Sequence, residues 1–213
     1  MERIFVTGIG TGVGKTIVSA IITEAFCADY WKPIQTGSVE GTDSETVRSL
    51  LTNKESIIHP EAYCLKLPAS PHAAAAEEGI TIQIKSIIPP STTNMLVIEG
   101  AGGLMVPLND KELMIDLMLK YNARVVLVVR HYLGSINHTL LSLQELRQKG
   151  IKMAGIVYSG QPNKQSEKAI EAFGKCRVIG RINEENNFTP SIISGYAKEF
   201  QGSMLNDTLV KRN

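Results

Sequence analysis

A chain of 213 residues with 43% hydrophobic and 20% charged content can bury one sizeable core and has the composition of a soluble globular protein. Its formal net charge of +1, with no basic block or stripe, argues against nucleic acid as a partner, and apolar runs of about ten residues are too short to cross a bilayer. Three cysteines (Cys27, Cys64 and Cys176) stand far apart without paired spacing, which argues against a zinc site or a disulfide framework and for a reducing, cytoplasmic setting.

Met1-Glu2-Arg3-Ile4 leads at once into an apolar run, so no signal peptide is expected. A first strand is predicted over 3–7, followed by the glycine-rich segment Gly8–Thr16 and a buried helix over 14–27. Tyr30–Gln35 reads as a second strand, with Lys32 within or directly after it, and 43–51 as a helix. The next helix, about 70–78, starts where Ser70 can cap and Pro71 can take the first helical position. Met95–Ile98 reads as a strand running into Glu99-Gly100-Ala101-Gly102-Gly103, and 111–121 as a helix with Met114, Leu117 and Met118 at core spacing. A strand at Val125–Val129, a helix over 135–149, a strand at Met153–Tyr158, a helix over 164–173 and a strand at Arg177–Ile179 complete the pattern, and the composition of 159–213 speaks for loops and two helices. The runs at 95–98 and 125–129 are almost continuously apolar, as strands covered on both faces are. Strand–helix alternation of this kind predicts an α/β fold, a doubly wound and mainly parallel sheet, in a single domain over 1–213.

Gly8-Ile9-Gly10-Thr11-Gly12-Val13-Gly14-Lys15-Thr16 points to phosphate, and so to a P-loop NTPase type of sheet. Glycines at a strand–helix junction let backbone N–H groups turn inward toward an anion, and the positive end of the helix adds to that field. Gly12, Val13, Gly14, Lys15, Thr16 and Ile17 are therefore the candidate nucleotide-binding residues, with Lys15 on the β/γ-phosphates and the Thr16 hydroxyl a ligand for Mg²⁺. Because Ile9 occupies the place of the usual first glycine, the loop counted from Gly8 is one residue longer than standard. In a doubly wound sheet ligands gather beyond the carboxyl ends of the strands. Glu99 ends an otherwise apolar strand and needs a partner, which Mg²⁺ held by Thr16 would supply. Asp43 is a second candidate metal ligand and equally a candidate N-cap for 44–51. Lys32 either snorkels out of the sheet edge or points into the site, where a second cation suits a reaction that gathers negative charge.

Gly-(x)5-Gly-Lys-Thr, Tyr-Trp-Lys-Pro-(x)3-Gly, Thr-Asp-Ser-Glu, Ser-Pro-His-Ala-Ala-Ala, Val-Ile-Glu-Gly-Ala-Gly-Gly and Leu-Gly-Ser-Ile-Asn-His follow one another in that order. Through these motifs, over roughly residues 3–155, the chain resembles the dethiobiotin synthetases of biotin biosynthesis. The resemblance implies ATP, Mg²⁺ and CO₂ acting on 7,8-diaminononanoate, with a carbamate and then a carbamic–phosphoric mixed anhydride on the way to a cyclic urea. It implies Lys32, Lys15 and Thr11 as catalytic residues and Thr16, Asp43 and Glu99 as Mg²⁺ ligands. Thr11, Lys32 and Thr36 would face the diamine and carbamate. Leu133, Gly134, Ser135, Ile136 and Asn137 match the segment that receives the substrate's tail carboxylate across a homodimer interface. The free N–H groups of a helix opened by Gly134, Ser135 and Ile136 would independently suit an anion.

Three positions depart from the family pattern. Gly12 stands where the family loop often carries an acid, Ser159 where it has an adenine-reading asparagine, and Gly180-Arg181-Ile182-Asn183 lacks the family proline. These departures from the family pattern imply base recognition that is either loose or built differently, without a strict preference for ATP. The competing reading, a partitioning ATPase that acts through protein partners, calls for a signature lysine early in the loop, and positions 9–13 contain none.

Overall fold

Strand β1 (Arg3–Gly8) runs through the interior of a seven-stranded sheet in the computed structural model, which describes residues 2–205. It is followed by α1 (Lys15–Phe26), β2 (Asp29–Trp31), β3 (Ile34–Gln35), α2 (Asp43–Leu50), β4 (Ile58–His59), β5 (Tyr63–Cys64) and α3 (Pro71–Glu77). Then come β6 (Leu96–Glu99), α4 (Met114–Tyr121), β7 (Arg124–Arg130), α5 (Ser135–Gln148), β8 (Met153–Ser159), α6 (Lys164–Gly174), β9 (Val178–Ile182) and α7 (Pro190–Leu205). The sheet order is β4-β2-β6-β1-β7-β8-β9, and every pairing is parallel. The expected doubly wound parallel sheet is therefore present, and the two helices expected after residue 159 are α6 and α7. Positions 206–213 of the expected domain lie outside the described residues.

Both faces of the sheet are covered, which is why its central strands read as unbroken apolar runs rather than alternating ones. Ile4 and Val6 of β1, with Val97 and Val126, pack on Val18, Ile21 and Ile22 of α1 and on Phe200 of α7. Phe5, pointing the other way, joins Ile98 and Val125 against Ala74 and Ala75 of α3 and against Met114, Leu117 and Met118 of α4. Leu127, Val129, Ile156 and Tyr158 form a third cluster with Leu143 of α5 and Ile170 of α6. The methionine spacing over 114–118 is thus core, as read from the sequence.

The structure corrects the sequence reading in several places. The single strand expected over Tyr30–Gln35 is two strands broken at Lys32-Pro33, because proline has no N–H to continue the ladder. The chain leaves the large sheet there, and β3 pairs instead with β5 in a separate two-stranded sheet. Strands β4 and β5, two residues each, have no counterpart in the sequence reading. The helix expected over 111–121 starts only at Met114, after a turn closed by Asn109 accepting the N–H groups of Lys111 and Glu112. Ser70 occupies the N-cap position of α3 without making a side-chain capping bond, and Pro71 takes the first helical position.

Candidate functional site

The carboxyl ends of β1, β2 and β6 lie side by side, so the segments that leave them share one crevice. After β1 the glycine-rich loop turns through positive φ at Gly12 (70°) and Gly14 (98°). Gly14 is the N-cap residue of α1 and makes no side-chain cap, so the first N–H groups of the helix face the crevice without a capping side chain. A side chain at Gly14 is excluded twice over: its φ is left-handed, and a Cβ would stand 2.7 Å from Ser159 Oγ. Val13 turns inward and is 2% exposed in the α1 core layer, leaving its backbone to the loop. Lys15 Nζ lies over the loop and donates to the Gly10 carbonyl at 2.9 Å.

A cavity of about 720 Å³ opens in front of this loop. Its walls include Thr11, Gly12, Gly14, Lys15, Thr16 and Ile17 from the loop and α1, with Lys32 and Thr36 from the segment around β3. Asp43 and Glu99 add to the polar lining, and Pro68, Ala69, Pro71 and Val106 contribute apolar wall. Lys32 therefore points into the site and does not snorkel away from it.

The charges inside are tightly coupled. Lys32 Nζ lies 2.5 Å from Asp43 Oδ2 and 3.0 Å from Glu99 Oε1. The Thr16 hydroxyl is 2.6 Å from Asp43 Oδ1 and 3.0 Å from Glu99 Oε1, and its one proton serves either carboxylate in turn. Burial works against the ammonium of Lys32, but Glu99 and Asp43 together outweigh it and hold its pKa above the ordinary lysine value. Burial likewise opposes the charge of Asp43, yet Lys32 and the Thr16 hydroxyl keep its pKa below the usual aspartate value. Lys15 is shifted the other way: burial lowers its pKa, and the nearby Lys32 adds to that against the pull of Glu99 and Asp43.

Asp43 is not the helix cap. Thr42 holds that position, accepting the Glu45 N–H while the Glu45 carboxylate accepts the Thr42 N–H in a capping box. Asp43 is thereby the first helical residue, its carboxylate free to face Thr16 and Lys32. Two residues that the sequence reading did not single out hold this arrangement. Gln35 Oε1 accepts the Asp43 N–H at 3.1 Å while its Nε2 donates to the Thr36 carbonyl at 2.7 Å, and the Tyr30 hydroxyl donates to Glu99 Oε2 at 2.9 Å.

One hydroxyl and two carboxylates converging beside a phosphate-type loop form an all-oxygen donor set of the kind a hard cation takes, with room left for phosphate and water. Among the described residues there is no cluster of three or more His, Cys, Asp or Glu side chains that could hold a metal ion.

The remaining expected site residues lie elsewhere. Ser159 ends β8 beside Gly14, next to the loop but outside the large cavity. Leu133–Asn137 are not among the residues that line the large cavity. Leu133 is fully exposed, and the flanking Tyr132 and His138 line a second cavity of about 460 Å³ between the glycine-rich loop, residues 103–106 and α5. The expectation that Ser135 offers a free N–H is corrected as well: that group donates to the Tyr132 carbonyl at 2.9 Å, closing the turn before α5. Gly134 is the N-cap residue of α5, with φ 104°.

Comparison with known proteins resolves the family. The AAA domain family matches residues 2–191. The ATP-dependent dethiobiotin synthetase BioD of Christiangramia forsetii is 54% identical over 197 residues, covering 92% of this chain and 95% of that protein. The chain belongs to the ATP-dependent dethiobiotin synthetase family. The corresponding protein of Cytophaga hutchinsonii is 49% identical, over 92% of this chain and 96% of its own. Among solved structures, the septum site-determining protein MinD of Pyrococcus horikoshii, complexed with Mg-ADP, superposes with a TM-score of 0.60 at 14% identity, covering 98% of this chain and 96% of that one. A plasmid partition protein of Borrelia burgdorferi bound to AMPPNP gives 0.60 at 15% identity, covering 96% of each chain. At that level of identity the likeness is one of fold, the P-loop NTPase sheet, and family membership makes this chain an ATP-dependent synthetase of biotin biosynthesis. Among the described residues no helix is long and apolar enough to cross a membrane.

Proposed function

We propose that the chain converts 7,8-diaminononanoate, CO₂ and ATP to dethiobiotin, ADP and phosphate, folded as a single nucleotide-binding synthetase domain. The reading is carried by one observation: two buried lysines, two carboxylates and a threonine meet in a cavity that a phosphate-type loop closes. Gly12, Val13, Gly14, Lys15, Thr16 and Ile17 hold the phosphates, and Ser159 flanks the nucleotide beside Gly14. Thr16, Asp43 and Glu99 hold Mg²⁺, which when bound offsets the charge of the β- and γ-phosphates.

One amine of the diamine takes up CO₂ as a carbamate. Lys15 and Lys32 near that amine disfavour its protonated form and so favour the free nucleophile. Thr11 and Thr36 orient the carbamate, whose oxygen attacks the γ-phosphorus and expels ADP to give the mixed anhydride. Lys32 and Lys15 then face the growing negative charge on the transferred group. The second amine attacks the carbonyl carbon, phosphate leaves, and the urea ring closes. The apolar wall of Pro68, Ala69, Pro71 and Val106 excludes water that would hydrolyse the anhydride.

The proposed working unit is a homodimer in the cytoplasm, in which Leu133, Gly134, Ser135, Ile136 and Asn137 of one copy receive the tail carboxylate of substrate held by the other. Exposed Met105, Leu133 and Leu141 around the second cavity support an interface there. Incubation with Mg-ATP, bicarbonate and 7,8-diaminononanoate, followed by mass spectrometry, is the test. Dethiobiotin that depends on all three supports the reading. Phosphate released from ATP alone, with no dethiobiotin, overturns it.

A further inference from the structure

Tyr30 is fully buried in β2, and its hydroxyl donates to Glu99 Oε2 at 2.9 Å. Strand register accounts for the reach. Tyr30 lies beside Val97 of β6, and both side chains face the layer packed by α1. Glu99 is one pleat repeat farther along β6 and so projects from that same face. A phenol spans this step with its oxygen at the far end, where a shorter hydroxyl would fall short.

The two carboxylate oxygens of Glu99 are used differently. Oε1 meets the Thr16 hydroxyl and the Lys32 ammonium, each at 3.0 Å, on the cavity side, while Oε2 takes the Tyr30 hydroxyl on the core side. A carboxylate is planar, so fixing one oxygen fixes the direction of the lone pairs on the other. Burial, reinforced by the charge of Glu99, pushes the phenol pKa far above its ordinary value, so the group stays a donor across any working pH.

We propose that Tyr30 is a positioning residue for the reaction: it anchors Oε2 so that Oε1 of Glu99 stands beside the Thr16 hydroxyl, ready for the divalent cation that arrives with the nucleotide. This rests on the assignment of Glu99 as a metal ligand made above. A merely structural tyrosine would stabilise the fold without affecting how tightly the metal is held.

Tyr30→Phe keeps the ring and removes only the hydroxyl. Binding of a fluorescent ATP analogue is titrated with Mg²⁺, and in parallel with the metal chelated away. Partners at this remove from a metal are worth about ten- to a hundredfold in metal affinity, so the half-saturating Mg²⁺ concentration rises by about that factor while metal-free nucleotide binding stays within about twofold. A lowered melting temperature with an unchanged Mg²⁺ requirement overturns the proposal. Glu99→Gln separates the two levels of inference. If it leaves the Mg²⁺ requirement unchanged, Glu99 is no ligand and the assignment falls together with the proposal. If it raises the requirement and Tyr30→Phe does not, the role of Tyr30 alone falls. The double variant contains no unpaired carboxylate, which keeps the question open to test should Tyr30→Phe fail to fold. In the Glu99→Gln background, adding Tyr30→Phe leaves the Mg²⁺ requirement where it was; a further rise overturns the proposal.

Discussion

Replacing Lys32 with alanine removes a cation that is only 4% exposed and touches two carboxylates, Asp43 Oδ2 at 2.5 Å and Glu99 Oε1 at 3.0 Å. Unit charges 4 Å apart attract by about 4 kcal/mol at an effective dielectric constant near 20. Desolvation of the buried ammonium cancels part of that attraction, but loss of one partner strands the other two, and such losses cost about 3–5 kcal/mol. The nucleotide-free variant should therefore melt roughly 10 °C lower than the parent, at about 2–4 °C per kcal/mol for a chain of this size. Added Mg²⁺ recovers part of the loss, because a divalent cation neutralises the same two carboxylates. Turnover falls further than stability does. One preorganised group facing transition-state charge is worth about 10²–10³ in rate, so dethiobiotin formation should drop by about that factor while ATP still binds. Lys32→Met, which preserves most of the packing, should lose turnover equally. The assay pairs product formation by mass spectrometry with ATP affinity measured by calorimetry. Turnover within about threefold of the parent, in a variant that still binds ATP, would refute the catalytic role of Lys32.

Thr42→Ala should cost about 1 kcal/mol of stability through the lost cap and leave the Mg²⁺ requirement alone, whereas Asp43→Asn should raise that requirement; melting curves and Mg²⁺ titrations of the two variants test the separation of roles. Asp29 is buried at the start of β2, where burial raises its pKa but hydrogen bonds from Thr92, Asn94, the Ile57 N–H and His59 outweigh it and hold it below 3.8. A carboxylate depressed in this way contributes stability in full above the unfolded value and loses it as pH falls through the folded one, so Asp29→Asn should cost about 2 kcal/mol at pH 7 and progressively less below pH 4. Melting temperatures of both proteins from pH 7 to pH 3 check this, and parallel curves would refute it. Gly180→Ala would set a Cβ 2.4 Å from the Phe200 ring, so α7 must shift on β9 at a cost of about 1–3 kcal/mol, seen as a lower urea midpoint at unchanged slope.

Much of this site is written in contiguous residues, and that part is legible. The glycine loop, Lys15 and Thr16 lie within one strand–turn–helix junction, where local spacing carries the chemistry. Glu99 stands out by contrast in the sequence, as an acid ending an apolar strand. The cap was misplaced: the sequence reading offered Asp43, although Thr42 and Glu45 have the spacing of a capping box, a signal that could have assigned the cap to Thr42 and freed the Asp43 carboxylate for the cavity. Tyr30 and Gln35 are a different matter. Tyr30 meets Glu99 through the register of β2 on β6, and Gln35 meets Asp43 across the turn that follows β3, and neither relation leaves a trace in spacing. Strands β4 and β5 are too short for any periodicity to mark them. The direction of Lys32 was equally out of reach, because Pro33 ends the ladder and with it the alternation that would have assigned a face.

The charge balance of the cavity explains why a second lysine belongs there. Asp43 and Glu99 offset Lys15 and Lys32, so the polar side of the cavity is close to neutral while these four groups face one another. A nucleoside triphosphate brings more negative charge than one divalent cation carries, and a carbamate adds to the excess. With a cation drawing on Thr16, Asp43 and Glu99, those carboxylates would have less hold on Lys32, and the negative charge of phosphate and carbamate would take over their part in keeping the buried ammonium charged. Lys15 lies over the glycine loop, bonded to the Gly10 carbonyl. The two lysines are then set for different tasks by their surroundings: one built into the phosphate loop, the other held by the same carboxylates that a metal would engage. On the proposed reading the acids would serve the reaction twice, first by keeping a buried ammonium charged and then by releasing it toward the substrate as the metal takes its place.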